Sequence, residues 1–297
     1  MLFTEYKKCT LCARRCGVDR YEKRGFCKVT SELLVARAAH HDWEEPLISG
    51  TRGSGAIFFS GCSLSCAYCQ NRDISRGSFG KVISVERLSE IMLELQESGA
   101  HNINLVTPTH FVPSIKSAIT LARAGGLSLP IVYNTSGYDT VETIKSLEGY
   151  VDVYLPDMKY YLPKTAYELS AATDYPKVAR EAIAEMVRQT GECTIDGDGL
   201  LKKGTVVRIL LLPGHVAEAK LILSYLYEAY GDKIYVSLMN QYTPPEEMKP
   251  PLDRRVTREE YRQLVAYAVR LGVKNGFVQE HGTASKSFIP AFDFTGV

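Results

Sequence analysis

The sequence predicts an α/β protein organised around a parallel sheet, and three observations carry that expectation. From residue 55 onward, short apolar runs alternate with amphipathic stretches. The apolar runs lack polar alternation, as expected of strands buried on both faces of a parallel sheet. Nearly every run is followed at once by a polar or ligand-type stretch, the position where βα loops carry function.

The runs expected to be strands are residues 56–59, 101–106, 130–133, 151–155, 206–212, 234–238 and 276–278. Between them, residues 85–98 place Leu88, Ile91, Met92 and Leu95 on one helical face at spacings of three and four. Residues 140–147, 178–190, 216–230 and 257–271 behave similarly. Thr257 followed by Glu260 forms a capping-box pattern and sets a helix start there. Six or seven βα units in series make a parallel barrel or an open doubly wound sheet. Residues 1–50 are cysteine-rich and weakly periodic, and no fixed-period repeat or low-complexity tract occurs.

Composition narrows the function classes. The 297-residue chain is 45% hydrophobic and 23% charged, an ordinary globular balance. Lys plus Arg (35) against Asp plus Glu (34) leaves +1, which supports neither a nucleic-acid nor a membrane-surface partner. No run of about 18 apolar residues offers a membrane span. The amino terminus lacks the apolar core of a signal peptide, so a cytoplasmic location with reduced thiols is expected.

Eight cysteines then read as ligands before they read as disulfides. Cys62, Cys66 and Cys69 form C-x3-C-x2-C directly after the first predicted strand of the series. Thiolates suit zinc, Cu(I) and iron–sulfur clusters. A closed zinc site or a fully ligated cubane takes four ligands, so three cysteines leave one position open. A zinc site completed by a distant His or Cys is the alternative from spacing alone. Gly61 and residues 63–65 give the loop freedom from sheet pairing, and Tyr68 offers an aromatic face beside the last cysteine. Cys193 stands alone and reads as a packing residue.

The motif and its setting resemble the radical S-adenosylmethionine (SAM) superfamily, and within it a subgroup of iron–sulfur proteins related to pyruvate formate-lyase activating enzyme. The matching stretches are CTLCARRCGVDR (9–20), ISGTRGSGAIFFSGCSLSCAYCQN (48–71), GAHNINLVTPTH (99–110), LPIVYNTSGYD (129–139), VDVYLPDMKY (151–160) and NQYTP (240–244). The resemblance implies a partial (β/α)6 TIM-like barrel over residues 51–282, a cysteine-rich metal-binding module and linker over 1–50, and a tail over 283–297. It implies a [4Fe–4S] cluster on Cys62, Cys66 and Cys69, with SAM chelating the open iron. Reductive cleavage there would give a 5′-deoxyadenosyl radical. In activating enzymes that radical removes a glycine hydrogen from a partner protein; modification of another peptide or a small molecule is the alternative.

By the same resemblance, Tyr68 and Asn71 lie beside the adenine, and Asn134, Thr135 and Ser136 follow the third strand. Asp157 and Lys159 form the Asp-x-Lys of the fourth, and Arg208 lies in the fifth. Where the superfamily has a glycine pair and a glutamate for the methionine amino group, this chain has Thr107, Pro108, Thr109 and His110. Thr107 and Thr109 are expected to take over that contact, with His110 as hydrogen donor, proton shuttle or purely structural residue. Asn134 replaces an acidic residue usual in activating enzymes. An electron donor of the flavodoxin or ferredoxin type is implied.

Cys9, Cys12, Cys16 and Cys27 form C-x2-C-x3-C-x10-C, suited to structural zinc or an auxiliary cluster. A function from a different class, a binding module built on two zinc sites, predicts no SAM cleavage.

Overall fold

The structure, a computed structural model, describes residues 2–77, 79–279 and 290–297. In chain order, α1 (Thr4–Lys7) precedes the cysteine-rich turns, then come β1 (Leu33–His41), α2 (Pro46–Ser49) and β2 (Ser54–Phe59). Next are α3 (Arg72–Ser75), β3 (Lys81–Ile83), α4 (Val85–Glu97), β4 (Ile103–Val106), α5 (Val112–Ala124), β5 (Ile131–Thr135) and α6 (Val141–Ser146). The chain continues with β6 (Val153–Pro156), α7 (Pro163–Ser170), α8 (Tyr175–Thr190), β7 (Thr194–Ile195) and β8 (Leu201–Leu210). It ends with α9 (Val216–Tyr230), β9 (Tyr235–Met239), α10 (Arg258–Leu271) and β10 (Gly276–Val278).

Seven strands run parallel in the spatial order β2, β4, β5, β6, β8, β9, β10. β1 pairs antiparallel with β2 and β3 with β1, and the path from β3 to β10 does not close among the described residues. The result is a partial parallel barrel. β2, β4, β5 and β6 are buried along their length, with a helical layer outside and packed side chains inside. Outward positions Ile57, Leu105, Tyr133 and Tyr154 join α4, α5 and α6 in one core, and Val207, Ile209, Val236 and Leu238 join α9 and α10 in a second. Inward positions Val132, Val153, Leu155 and Val206 pack against Ile48 of α2. The capping box at Thr257 and Glu260 is formed.

Several elements depart from the sequence reading. β1 lies within the stretch read as module and linker, yet it is a strand of the main sheet. Its pattern is blurred by Ala-Ala and by a register shift between Val35 and Arg37. α5 and α7 were not expected; both begin with Pro in the first turn, where its missing N–H costs nothing. β8 begins at Leu201 and is longer than the expected run. Residues 283–289 of the tail lie outside the described residues, and residues 290–297 run along β1, where the Phe294 and Ala38 amides donate to Ala36 and Thr295 carbonyls.

The cysteine-rich segment docks against the strand-end loops. Cys12 bridges to Asp139, and the Ala13 amide donates to the Tyr138 carbonyl. Arg20 is fully buried, its guanidinium over the rings of Tyr6 and Phe111. No helix among the described residues is long and apolar enough to cross a membrane.

Candidate active site

A cavity of about 470 Å³ occupies the barrel mouth and interior, within the range of small-molecule sites. Each parallel strand brings residues to it at or just beyond its carboxyl end: Cys62 after β2, Thr107 after β4, Ser136 after β5, Asp157 after β6, Leu210 in β8, Gln241 after β9 and Gln279 after β10. The common direction of the strands therefore concentrates the polar groups.

The three-cysteine loop leaves β2 at Gly61, whose φ is +88°. A Cβ there would lie 2.7 Å from the Cys27 carbonyl oxygen, so only glycine fits between the loop and the amino-terminal segment. Ser65 also has positive φ, which turns the chain so that Cys62, Cys66 and Cys69 all face the cavity. The Leu64 amide donates to Cys62 Sγ at 3.4 Å. Burial pushes all three thiols up; neighbouring cysteine charge adds to this and Lys159 opposes it at each. Such thiols stay protonated until a metal displaces the proton. Three soft donors on one wall, with no fourth cysteine among the cavity residues, fit a cluster that keeps one iron open.

Facing the loop is a charged network. Arg208 Nε donates to Asp157 at 2.8 Å, Nη2 donates to Asn134 Oδ1 at 2.7 Å, and Nη1 lies 3.4 Å from Glu44. Lys159 Nζ pairs with Asp157 at 2.6 Å. Burial raises the Asp157 carboxyl, but Arg208 and Lys159 overcome it and hold the group below its ordinary range. Burial lowers Lys159, and Asp157 more than restores it. Asp157, Lys159 and Arg208 are thus all charged.

Of the residues expected around a cofactor, Tyr68, Asn71, Thr107, Asn134, Thr135, Ser136, Asp157, Lys159 and Arg208 line this cavity. Tyr68 does so mainly as a packed ring: it meets Tyr160 and Tyr242 edge-on and accepts a hydrogen bond from the Tyr160 hydroxyl. Thr109 and His110 do not line it. Thr107, at φ +59°, diverts the chain into a turn over Thr109–Phe111 that carries both side chains behind the wall. Thr109 Oγ1 donates to buried Asp139 at 2.7 Å, and His110 Nε2 lies 2.8 Å from the Ser60 carbonyl oxygen. Burial, with Arg20 nearby, lowers the His110 pKa to about 3, so the ring is neutral and sealed from the cavity. A proton-shuttle role does not suit it.

Sequence reasoning missed Glu44 and Glu45, which line the same cavity from the segment after β1. No spacing rule marks them, because they reach the barrel through the antiparallel strand that was not foreseen.

Cys9, Cys12 and Cys27 are buried and Cys16 is partly so. The four sense one another's charge, and burial pushes Cys12 up to about 12. Arg20 Nη1 approaches Cys9 Sγ at 4.0 Å. Among the described residues no group of three or more His, Cys, Asp or Glu is gathered closely enough for a single metal ion.

The family model described as the Radical SAM superfamily matches residues 56–226, more than half of the chain. The chain belongs to the radical SAM superfamily. This radical SAM protein is 29% identical over 274 residues to the uncharacterized protein MJ0674 of Methanocaldococcus jannaschii, covering 89% of this chain and 75% of that one. It is 26% identical to the ribosomal protein uS12 methylthiotransferase RimO of Geotalea uraniireducens, covering 72% and 49%. Its fold is similar to HydG, a maturase of the [FeFe]-hydrogenase, with TM-score 0.53, 17% identity and 84% and 58% coverage. It is also similar to SuiB of Streptococcus suis bound to precursor peptide SuiA, with TM-score 0.50, 12% identity and 75% and 47% coverage. The chain thus spans about half the length of SuiB and RimO. Membership implies a [4Fe–4S] cluster and SAM, and the cavity's donor set fits both.

Proposed function

We propose that the protein cleaves SAM reductively at a [4Fe–4S] cluster held by Cys62, Cys66 and Cys69, and uses the resulting radical to activate a glycyl radical enzyme by removing a glycine hydrogen. The observation that carries the SAM-cleaving part of this reading is the cavity onto which the three thiols and the Asn134–Asp157–Lys159–Arg208 network converge. When bound, the cluster with SAM supplies the one-electron bond cleavage. The chain's own groups bind, orient and exclude water. Asn71, Thr107, Thr135 and Ser136 offer hydrogen-bonding groups to the adenosyl and methionyl polar atoms. Lys159 and Arg208, fixed by Asp157, present cationic surface to the carboxylate of SAM. Tyr68 packs the cofactor's planar part. A flavodoxin or ferredoxin type donor delivers the electron.

Cys9, Cys12, Cys16 and Cys27 hold zinc or an auxiliary cluster in this reading, supported by the charge of the other three felt at Cys12 and by the closeness of the Cys16 and Cys27 sulfurs around Gly25. Modification of another peptide is the second reading. SuiB, with its precursor peptide, has that kind of partner on a similar fold.

Anaerobic reconstitution with iron and sulfide tests the reading: absorbance near about 400 nm and reductive SAM cleavage are expected. SAM cleavage should vanish in Cys62→Ala, Cys66→Ala and Cys69→Ala, and the absorbance should fall to whatever a cluster on the amino-terminal cysteines contributes. Incubation with candidate partners under electron paramagnetic resonance should reveal a glycine-centred radical; a modified peptide without that signal favours the second reading. A protein binding zinc alone and leaving SAM intact overturns both.

A further inference from the structure

The cavity has a second chemical pole opposite the cysteine loop. β1 runs antiparallel to β2, and His41 at its end pairs with Ser54 at the start of β2. The segment that follows therefore enters the barrel from the end remote from Cys62. Pro46 starts α2 immediately, and the Ile48 and Ser49 amides donate to the Glu45 carbonyl at 2.7 and 3.0 Å. The Glu44 amide donates to Ser49 Oγ at 3.0 Å. Ile48 is seated in the inward core. The backbone of Glu44 and Glu45 is thereby locked, and both side chains line the cavity.

The two acids are not equivalent. Glu44 accepts from Asn134 Nδ2 at 3.2 Å and pairs with Arg208. Glu45 is only 8% exposed, and its Oε2 is buried without a hydrogen-bond partner. No ion pair to Glu45 occurs among the described residues, since Lys159 contacts Asp157 and Arg208 contacts Asp157 and Glu44. Among the described residues three acids (Glu44, Glu45, Asp157) face two bases, Lys159 and Arg208, and burial pushes both glutamates up. A buried carboxyl oxygen without a partner is costly unless a ligand supplies one.

We propose that Glu45 is a substrate-binding site for a protonated primary amine. A single open oxygen suits a point donor such as ammonium; a guanidinium fork would need two. Burial pushes the Glu45 carboxyl up to about 7 against the pull of Arg208, with Glu44 adding to the rise, and a docked ammonium would restore its charge. The inference rests on the reading of the cavity as the chamber for SAM and substrate, and it adds the substrate's chemical class: an amine-bearing side chain or small molecule, which belongs to the second reading, since a glycine residue presents no primary amine.

The test uses the full-length reconstituted holoenzyme, titrated anaerobically with n-butylamine, n-butanol and n-butylguanidine and followed by saturation-transfer NMR. SAM binding is recorded calorimetrically in the same preparation. Butylamine should bind at least tenfold more tightly than butanol and more tightly than butylguanidine, and Glu45→Gln should remove at least tenfold of the amine affinity. Equal binding of amine and alcohol, preferred binding of the guanidine, or amine binding unchanged in a folded Glu45→Gln overturns the proposal. If that variant does not fold, the wild-type comparison of the three probes decides. SAM binding without amine preference removes only this site; amine preference without SAM binding supports this site and removes the cofactor reading; loss of both overturns both.

Discussion

Arg14 Nε donates to the Ser63 carbonyl at 2.9 Å, so a side chain of the four-cysteine segment holds the backbone between Cys62 and Cys66. The same guanidinium reaches the carbonyls of Leu64 at 3.2 Å and Ser170 at 2.9 Å, and lies over the rings of Phe26 and Tyr138. Arg14→Ala should cost about 2 kcal/mol, since charge-assisted bonds are lost and carbonyls are left unsatisfied. Thermal unfolding of the metal-free protein should show a lower Tm. The rate of iron loss to a chelator should rise in the reconstituted variant.

Arg208 balances two carboxylates at once. Replacing it with Lys keeps the charge but not the fork that meets Asp157, Asn134 and Glu44 together. Arg208→Ala should destabilise by about 3–5 kcal/mol, the range for removing one partner of a buried pair, and Arg208→Lys by less. Calorimetric titration should find SAM affinity reduced at least tenfold in Arg208→Lys.

His110 gives a pH signature. Its folded pKa, about 3, lies below the unfolded value near 6.5. Above about 6.5 neither state binds the proton, so the group is neutral in its effect. As pH falls from there towards 3, the unfolded chain takes up a proton that the folded one refuses. Stability should fall by up to ~1.4 kcal/mol per pH unit from this group. Urea denaturation across that window in wild type and His110→Gln should show the slope shrinking in the variant. Imidazole nitrogen shifts should stay those of a neutral ring at pH 5.

Glu260 acts in the opposite sense. Arg254 first, then Thr257 and Gly214, hold its carboxyl well below the ordinary range against partial burial. A depressed carboxylate stabilises above its unfolded pKa, about 4.3, and the stabilisation is lost as pH falls towards the folded value. Glu260→Gln should cost about 1–2 kcal/mol at pH 7 through the capping box and the ion pair. The stability difference between the two proteins should begin to narrow as pH falls below about 4 and should close only as pH approaches the much lower folded value.

How far the sequence alone reached follows from what local pattern encodes. The parallel strands were legible because burial on both faces leaves uninterrupted apolar runs such as residues 56–59. The Thr257 capping box was legible because three residues fix it. The polar stretches that hold Asn134 and Asp157 followed from strand ends, whereas Arg208, inside β8, came only from the family resemblance. β1 was not legible, since Ala-Ala and a register shift erase its alternation. The burial of Thr109 and His110 was hidden too: it depends on positive φ at Thr107 and on Arg20 and Ser60, which come from distant parts of the chain. Glu44 and Glu45 became cavity residues only through the direction of β1, a tertiary fact.

The pairing of residues 290–297 along β1 bears on how the protein can be handled. β3 covers β1 at Leu33–Val35, and Phe294 and Thr295 satisfy Ala36 and Ala38 beyond it. Removing these last residues would bare the Ala38 amide and Ala36 carbonyl on an extended edge, a template for another chain's strand. Carboxyl-terminal truncations are therefore expected to aggregate on refolding before any chemistry at the barrel mouth is affected.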